Sequence, residues 1–313
     1  MQRILLAIAF ATILADTVWA SAVHFDIDER AYLFLAEIVA ALVAGALFYD
    51  RVRPDPKLSA MLMGTAFLVG FSAAFSFLNY LLLTVAGPRI DTAFAAADRA
   101  IGFNWVAVMT FMAHHPVTNA VLQLCYISVL PQIALLIIAL AWSSRGGDVF
   151  RLCISIAAGA FLTVAFWTLF PSFGAFSVYT LPPEVTKHMV VALDGKYAHD
   201  LIDLLANGPG QISPRSAKGL VGFPSFHGAL AMMVAWHARQ LKYLRGPAVV
   251  LNALVLIATP IQGGHHLTDL AGGFIVACAA IAIANRTARF ASATTPVTLP
   301  YPAPSEAGRT AHS

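Results

Sequence analysis

A histidine and a carboxylate four residues apart stand at the start of an apolar segment. They are His265 and Asp269, and the apolar residues continue to Ala284. On a helix, this spacing places both side chains on one face, where the carboxylate can hold one ring nitrogen of the histidine and leave the other free to react. Charged groups at the end of a membrane-length apolar run are costly to keep, so the pair indicates a functional site.

A second histidine, His227, opens another apolar segment, within the stretch Gly-Phe-Pro-Ser-Phe-His-Gly at 222–228. A neutral histidine held by a carboxylate can attack phosphorus and form a phospho-histidine intermediate. A second histidine can protonate the leaving oxygen and then activate the next acceptor. His265 with Asp269 suits the first role and His227 the second, provided that the fold brings the two stretches together.

The start of this second apolar segment also offers groups that bind phosphate oxygens. Ser225, Gly228 and the backbone N–H groups of a helix that begins here would bind an anion, because a helix N-terminus attracts negative charge. A phosphoryl centre also needs positive charge, and Arg215 and Lys218 are the nearest cations in sequence. His266 is either a second active-site group or a polar residue at the membrane surface.

Two other kinds of site fit the same side chains. His227, His265 and Asp269 could bind zinc, although a histidine and an aspartate four residues apart are a weak metal signature on their own. They could also form a proton relay in a transporter or lipid-binding protein, which would require charged residues deep in several spans. Few stand near the centres of the apolar segments. Residue types alone leave phosphoryl transfer, metal binding and transport open, and phosphoryl transfer by histidine needs no metal or cofactor.

The composition predicts a membrane protein. Of 313 residues, 59% are hydrophobic and 11% are charged, whereas a soluble domain carries about 25% charged residues. The apolar residues stand in blocks of about 20, the length of a helix that crosses a bilayer. The net charge of +3 is small and scattered, so nucleic acid is not expected as a partner. We therefore expect an all-α polytopic membrane protein in contact with membrane lipids.

About eight transmembrane helices must position the candidate site. The predicted spans are 4–23, 31–49, 58–86, 117–142, 149–170, 222–240, 247–262 and 266–284. Residues 87–116 suit an amphipathic interfacial segment followed by a short apolar piece, and 171–221 form a long polar loop. We expect three parts, namely two N-terminal helices in 1–57, a six-helix catalytic core in 58–285 and a disordered tail in 286–313.

Lysine and arginine residues orient the predicted helices, because cytoplasmic loops carry an excess of both. The short loops that hold most of them, such as 239–245, lie on one side of the membrane, which is therefore cytoplasmic along with both termini. The sixth span enters from the outer side at Gly222, and the seventh returns there at Gln262. His227 and His265 should thus lie at the same depth, on the periplasmic side of a cell inner membrane.

Both histidine stretches resemble the motifs of a known family. Pro-Ser-Phe-His at 224–227 and His-His-Leu-Thr-Asp at 265–269 are similar to the second and third motifs of the type 2 phosphatidic acid phosphatase superfamily, whose members are membrane lipid-phosphate phosphatases and phosphotransferases. The resemblance covers about the last six predicted spans. It implies that His265 is the nucleophile, that Asp269 orients it, that His227 is the general acid, and that a lipid phosphate is the substrate.

The sequence departs from that family at the phosphate-binding cations. With Pro171 as the proline of the family's first motif, Lys-x6-Arg-Pro, neutral residues replace the cations of the first and third motifs, and these are Thr163, Phe170 and Thr259. Phe226 replaces a usual glycine, and the adjacent His265 and His266 are similar to the inositol phosphorylceramide synthase branch, which transfers a phosphorylated headgroup to a lipid alcohol. The resemblance therefore implies a lipid phosphate phosphatase or, alternatively, a headgroup phosphotransferase. Phosphatidate, an isoprenyl diphosphate and an inositol-bearing lipid are all candidate substrates, and nothing in the sequence sets the oligomeric state.

Overall fold

The computed structural model describes residues 1–23, 25–193, 195–208, 210–215 and 219–293, which form a nearly all-α structure, as predicted. The helices are α1 (Gln2–Val23), α2 (Glu29–Arg51), α3 (Pro56–Leu82), α4 (Asp91–Ala100), α5 (Trp105–Ala113), α6 (Pro116–Ile127), α7 (Val129–Trp142), α8 (Gly146–Leu169), α9 (Pro183–His188), α10 (Gly195–Asn207), α11 (Phe226–Ala238), α12 (Arg245–Gln262) and α13 (Leu267–Ala293). Short parallel strands, β1 (Asp26–Ile27) and β2 (Gln211–Ile212), pair within this part of the chain. Of the predicted tail at 286–313, residues 286–293 continue α13, and the remainder lies outside the described residues.

Six of the described helices are long and apolar enough to cross a membrane, namely α1, α2, α3, α8, α12 and α13. Helices α6 and α7 together form a seventh candidate that is bent by 47°. The chain is therefore a polytopic membrane protein. The predicted total of eight spans is not reached by this measure, because the predicted sixth span at 222–240 contains only the 13-residue helix α11. It is about 20 Å long, whereas the hydrocarbon core of a bilayer is about 30 Å thick.

The segment at 222–240 that contains α11 nevertheless runs along the length of α8. The Gly222 N–H donates to a carbonyl just beyond the C-terminal end of α8, and the Gln240 side chain accepts a hydrogen bond from the arginine that precedes the N-terminal end of α8. Pro224 restricts the residue before it to extended conformations, and the Ser225 side chain caps α11. The first part of the crossing is therefore extended, which explains why the helix is short.

The polar segments carry more regular structure than the sequence indicates. Residues 87–116 contain the amphipathic α4 and the apolar α5, in agreement with the predicted interfacial segment and short apolar piece. The predicted polar loop at 171–221 contains α9, α10 and β2. Asp28 fastens this loop to the α1–α2 connection, because its side chain accepts a hydrogen bond of 2.8 Å from the Ser213 hydroxyl.

Helix α8 lies at the centre of the bundle. It packs against α3, α11 and α13, and 67% of its membrane-length window is buried, the largest share among the described candidate spans. Gly159 permits this packing, since a Cβ at that position would lie 3.0 Å from the Met233 side chain of α11. Helices α11 and α13, which follow the two histidine stretches, are thereby held side by side on α8.

Candidate active site

His265 and Asp269 meet at the N-terminal end of α13. The Nδ1 atom of His265 lies 3.1 Å from Oδ2 of Asp269, and both side chains are buried. The spacing predicts that the pair lies along one helical face, but the helix begins only at Leu267. The pair instead closes the turn that leads into the helix. Because a carboxylate accepts, Nδ1 carries the proton, and Nε2 is the nitrogen with a free lone pair.

Ser225 connects the two histidine stretches. Its Oγ atom lies 3.4 Å from Nε2 of His265 and accepts the Gly228 N–H at 3.2 Å, which caps α11. Its own N–H donates to the carbonyl of Asp269 at 2.9 Å. Gly273 makes this approach possible, since a Cβ there would lie 2.5 Å from the Ser225 carbonyl oxygen. The predicted phosphate ligand Ser225 is thus beside His265, whereas the Gly228 N–H is occupied by the cap.

His227 is held by a backbone carbonyl and not by a carboxylate. Its Nε2 atom lies 2.8 Å from the carbonyl oxygen of Tyr126, and its ring stacks on the Tyr126 ring with centroids 3.9 Å apart. Tyr126 stands in the last turn of α6, where carbonyls lack a partner in their own helix because the chain breaks at Ser128. A carbonyl only accepts, so Nε2 of His227 carries a proton and Nδ1 is left for chemistry.

Both histidines line one cavity with a volume of about 350 Å³. Helices α3, α8 and α11 form most of its wall, together with the residues just before α11. The described lining consists of aliphatic, aromatic and neutral polar side chains and contains no lysine, arginine, aspartate or glutamate. The structure therefore brings His227 and His265 together at one cavity, as the predicted topology requires. Apart from these two histidines, the described residues of the cavity wall are uncharged.

The predicted phosphate-binding cations are not part of that described wall. Arg215 is exposed after β2, where its backbone N–H donates to the Ser213 hydroxyl, and it does not line the cavity. Lys218 lies outside the residues that the structure describes. Residues 219–221, directly after Lys218, do line the cavity. Of the two predicted cations, only Lys218 is therefore adjacent in sequence to the cavity wall.

His266 anchors the turn before α13 and is not among the residues that line the cavity. It is fully buried, and its Nδ1 atom lies 3.2 Å from Oδ2 of Asp98 on α4. The Asp98 carboxylate also accepts the Leu267 N–H at 3.1 Å and the Thr268 hydroxyl at 3.3 Å, so it caps α13 from another helix. The sequence left two alternatives open for His266, an active-site group or a polar residue at the membrane surface. In the structure it is buried beside Asp98 and is neither at the surface nor among the residues that line the cavity.

Helix α4 carries a second buried carboxylate at its other end. Asp91 accepts the Ser172 hydroxyl at 2.9 Å and the N–H groups of Phe173 and Gly174 at 2.7 and 3.0 Å. The next residue, Ala175, donates its N–H to the carbonyl of Gly264, just before His265. Gly174 and Gly264 both have positive φ, 81° and 61°, a conformation that glycine adopts without strain. The two acids of α4, which the sequence analysis left outside the site, therefore fix two of its loops.

The geometry of the site gives little support to the two other functions considered, a zinc site and a proton relay. Among the described residues, no group of three histidine, cysteine, aspartate or glutamate side chains has an arrangement that could hold a metal ion. Four carboxylates of the described chain are buried, and three of them, Asp91, Asp98 and Asp269, stand around the site. The fourth, Asp16, is buried on α1. A relay across the bilayer would need further titratable groups at intermediate depths.

A family model described as the PAP2 superfamily matches residues 92–283, which is more than half of the chain. The chain belongs to the PAP2 superfamily. This match confirms the predicted relationship to the type 2 phosphatidic acid phosphatases, and it includes both histidine stretches and Asp98. PAP2 membership supports phosphoryl transfer of the lipid phosphatase kind. Comparison with curated proteins and with solved structures gives no match.

Proposed function

We propose that this PAP2 protein transfers the phosphoryl group of a lipid phosphate to water, with His265 as the nucleophile. The observation that supports this most is the contact of 3.1 Å between Nδ1 of His265 and the buried carboxylate of Asp269. It leaves Nε2 as a nucleophile at a cavity that His227 also lines. A neutral imidazole oriented by a carboxylate is a suitable nucleophile for phosphorus.

The first step forms a phospho-histidine. The lone pair on Nε2 of His265 attacks phosphorus, the bond between phosphorus and the lipid oxygen breaks, and the leaving oxygen takes a proton from Nδ1 of protonated His227. Asp269 stabilises the positive charge that develops on the attacking ring. In the second step, neutral His227 takes a proton from water, the water oxygen attacks phosphorus, and the N–P bond breaks. Inorganic phosphate leaves, and His227 is again protonated.

The charge of the phosphate requires partners at the mouth of the cavity. The N-terminus of α11 attracts an anion, and the Ser225 hydroxyl lies 3.4 Å from the reacting nitrogen. We assign Lys218 as the cation, because residues 219–221 line the cavity directly after it. Arg215 is the weaker candidate, since it is exposed beside β2.

The site is proposed to face the periplasmic side of an inner membrane, with both termini in the cytoplasm. It lies where α8 and α12 end and where α11 and α13 begin. The turn at the opposite ends of α11 and α12 carries Arg239, Lys242 and Arg245, and loops rich in lysine and arginine are cytoplasmic. A cysteine introduced at Lys187 should therefore react with a membrane-impermeant reagent added outside intact cells, whereas one at Ser144 should not.

The first two helices are proposed to be a separate part of the chain. Helices α1 and α2 pack mainly on α3, and the family match begins only at residue 92. Residues 1–57 would then form an N-terminal pair beside a six-segment catalytic core at 58–285.

A headgroup phosphotransferase of the inositol phosphorylceramide synthase type is the second candidate function. It shares the first step, and an alcohol replaces water in the second. The cavity has room for such an alcohol, because about 350 Å³ would hold on the order of ten water molecules at about 30 Å³ each, which is more space than a phosphate group fills. Its wall also contains the neutral polar side chains of Asn79 and Thr163.

Phosphate release from a panel of lipid phosphates by the purified protein in detergent tests the proposed function. The wild type should release phosphate, as should His114→Ala, a control at an exposed histidine that follows α5. His265→Ala should release none, and substantial release by that variant would refute the assignment. A chelator should leave the rate unchanged, whereas a loss that zinc restores would favour the zinc site. Product formation only in the presence of an alcohol would select the phosphotransferase.

A further inference from the structure

Two buried polar atoms of the cavity wall lack a hydrogen-bond partner among the described residues. Asn79 on α3 is 7% exposed and Thr163 on α8 is 1% exposed, and both residues line the cavity. Among the described residues, neither Oδ1 of Asn79 nor Oγ1 of Thr163 has a partner. Buried polar groups are nearly always hydrogen-bonded, so these two atoms indicate a polar ligand in the cavity.

The Thr163 hydroxyl differs from most other threonine hydroxyls in the described helices. Thr168, five residues further along α8, donates to the carbonyl four residues before it at 2.8 Å, and Thr65 on α3 does the same at 2.9 Å. This local bond is the usual way in which a threonine in a helix satisfies its hydroxyl. Thr163 does not make it, so its hydroxyl is available to whatever occupies the cavity.

Asn79 belongs to a polar stripe on α3. Ser72, Ser76 and Asn79 follow one another at spacings of four and three residues, which places them on one face of the helix, and all three line the cavity. Along this stripe, Ser72 is exposed, Ser76 is half-buried and Asn79 is buried. Neutral polar groups of decreasing exposure therefore follow one another along this face of α3 in the cavity wall.

The types of these side chains define the chemistry of the ligand. An amide and a hydroxyl each offer a donor and an acceptor, which matches a ligand hydroxyl that also does both. A phosphate would require cations, and a quaternary ammonium group makes no hydrogen bonds. We propose that Asn79 and Thr163 form a subsite for a neutral group with several hydroxyls, such as a glycerol-like or sugar-like alcohol, beside the reacting phosphate.

This subsite rests on the proposed phosphoryl transfer, because the bound alcohol is either already attached to the phosphorus that His265 attacks or itself attacks that phosphorus in the second step. The alcohol has two possible sources. It is either the headgroup of the substrate lipid, which stays on phosphorus while the bond from phosphorus to the lipid oxygen breaks and that oxygen takes a proton from His227, or a free acceptor, whose oxygen forms a P–O bond while the N–P bond to His265 breaks and the acceptor's proton goes to His227. Both sources require the same hydroxyl recognition, and the two arms of the test separate them.

The headgroup arm measures binding in the His265→Ala background, so that no turnover is needed. Phosphatidylglycerol and phosphatidylpropanol carry the same charge and differ in headgroup hydroxyls. We expect the His265→Ala protein to bind phosphatidylglycerol about tenfold more tightly, the equivalent of about one hydrogen bond. Adding Asn79→Leu or Thr163→Val should abolish that preference. Thr163→Ser keeps the hydroxyl and should retain the preference, as should Thr168→Val, a matched control on α8 outside the cavity wall.

The acceptor arm measures transfer by the otherwise wild-type protein, from phosphatidate to glycerol or to propanol. A free acceptor predicts more glycerol phosphate than propyl phosphate, with the difference lost in Thr163→Val and kept in Thr163→Ser. A preference for hydroxyls in either arm that depends on Asn79 and Thr163 supports the subsite and identifies its source. The absence of such dependence in both arms overturns it. Failure of the proposed function would appear separately, as turnover that survives His265→Ala.

Discussion

Removal of the Asp98 carboxylate should lower turnover without a comparable change in substrate affinity. Asp98 on α4 accepts hydrogen bonds from Nδ1 of His266, from the Leu267 N–H and from the Thr268 hydroxyl. These three donors belong to the turn that directly follows His265. Asp98 does not line the cavity, so it acts on the nucleophile through the position of this turn.

The burial of the three donors sets the size of the expected effect. His266 is fully buried, whereas Leu267 and Thr268 are half-buried. In Asp98→Ala, the His266 donor therefore loses its only partner within the described part of the chain, and the other two donors can reach water. A buried donor without an acceptor costs about 1–3 kcal/mol. In the wild type, we expect about 1.5–3 kcal/mol from these hydrogen bonds to hold His265 in its reactive position. Its loss in Asp98→Ala should lower kcat about ten- to a hundredfold.

Steady-state kinetics on a lipid phosphate, together with melting temperatures in detergent, test this expectation. Asp98→Asn keeps the shape and one acceptor oxygen, so its loss of kcat should be smaller than that of Asp98→Ala. Asp203→Ala, at an exposed aspartate of α10 whose partner is Asn207, is the matched control. An Asp98→Ala protein that melts like the wild type and keeps kcat within about twofold of it would refute the reasoning.

Three further predictions concern Asp269, the proposed phosphate-binding cation, and the hydrogen bond between Asp28 and Ser213 outside the membrane. Asp269→Asn should lower kcat for phosphate release at least about a hundredfold, because an amide does not fix the proton on Nδ1 of His265, and a small loss would remove Asp269 from its proposed role. Lys218→Ala should raise KM for a lipid phosphate about tenfold while Arg215→Ala changes it little; the opposite order would assign the cation to Arg215. The Ser213 hydroxyl holds the pKa of Asp28 below its usual value, so the stabilisation from this link is present above about pH 4 and is lost as the pH falls further. Melting temperatures of the wild type and Asp28→Asn should therefore approach each other as the pH falls below about 4, and a gap that does not narrow there would count against the link.

The contact between His265 and Asp269 could be predicted from the sequence because the two residues are close along the chain. His265 and Asp269 are four residues apart, and their contact needs only the turn that opens α13. The placement of His227 followed from the order of the apolar segments, since consecutive spans alternate in direction. Both inferences used features that extend over a few residues or over whole spans, and the cavity shared by the two histidines agrees with them.

Contacts between distant residues could not be predicted in this way. The pair of Asp98 and His266 joins positions 168 residues apart, and the contact of Asp91 with the Gly174 N–H joins positions 83 apart. One signal was present, because Asp91 and Asp98 are seven residues apart and thus share a face of α4. That face is buried, and a pair of acids on it requires partners. The sequence alone does not say which loops provide them.

Helix ends were predicted less well than apolar segments. A count of apolar residues placed a full span at 222–240, but Pro224 and the Ser225 cap delay the start of α11. The fourth predicted span is divided at Ser128, and Pro131 lacks the N–H that would bond to the carbonyl four residues before it. The Tyr126 carbonyl that holds His227 lies beside this break. Because this partner is a backbone atom, the side-chain types in the sequence could not predict it.

The central claim is that His265 carries the phosphoryl group between two steps. The most direct measurement is to mix the protein with phosphatidate labelled in its phosphate, quench the reaction during turnover and locate the label by peptide mapping. We predict an acid-labile label on the peptide that contains His265, as expected of an N–P bond, and no label in His265→Ala. Label on another residue, or label that persists in His265→Ala, would contradict the account.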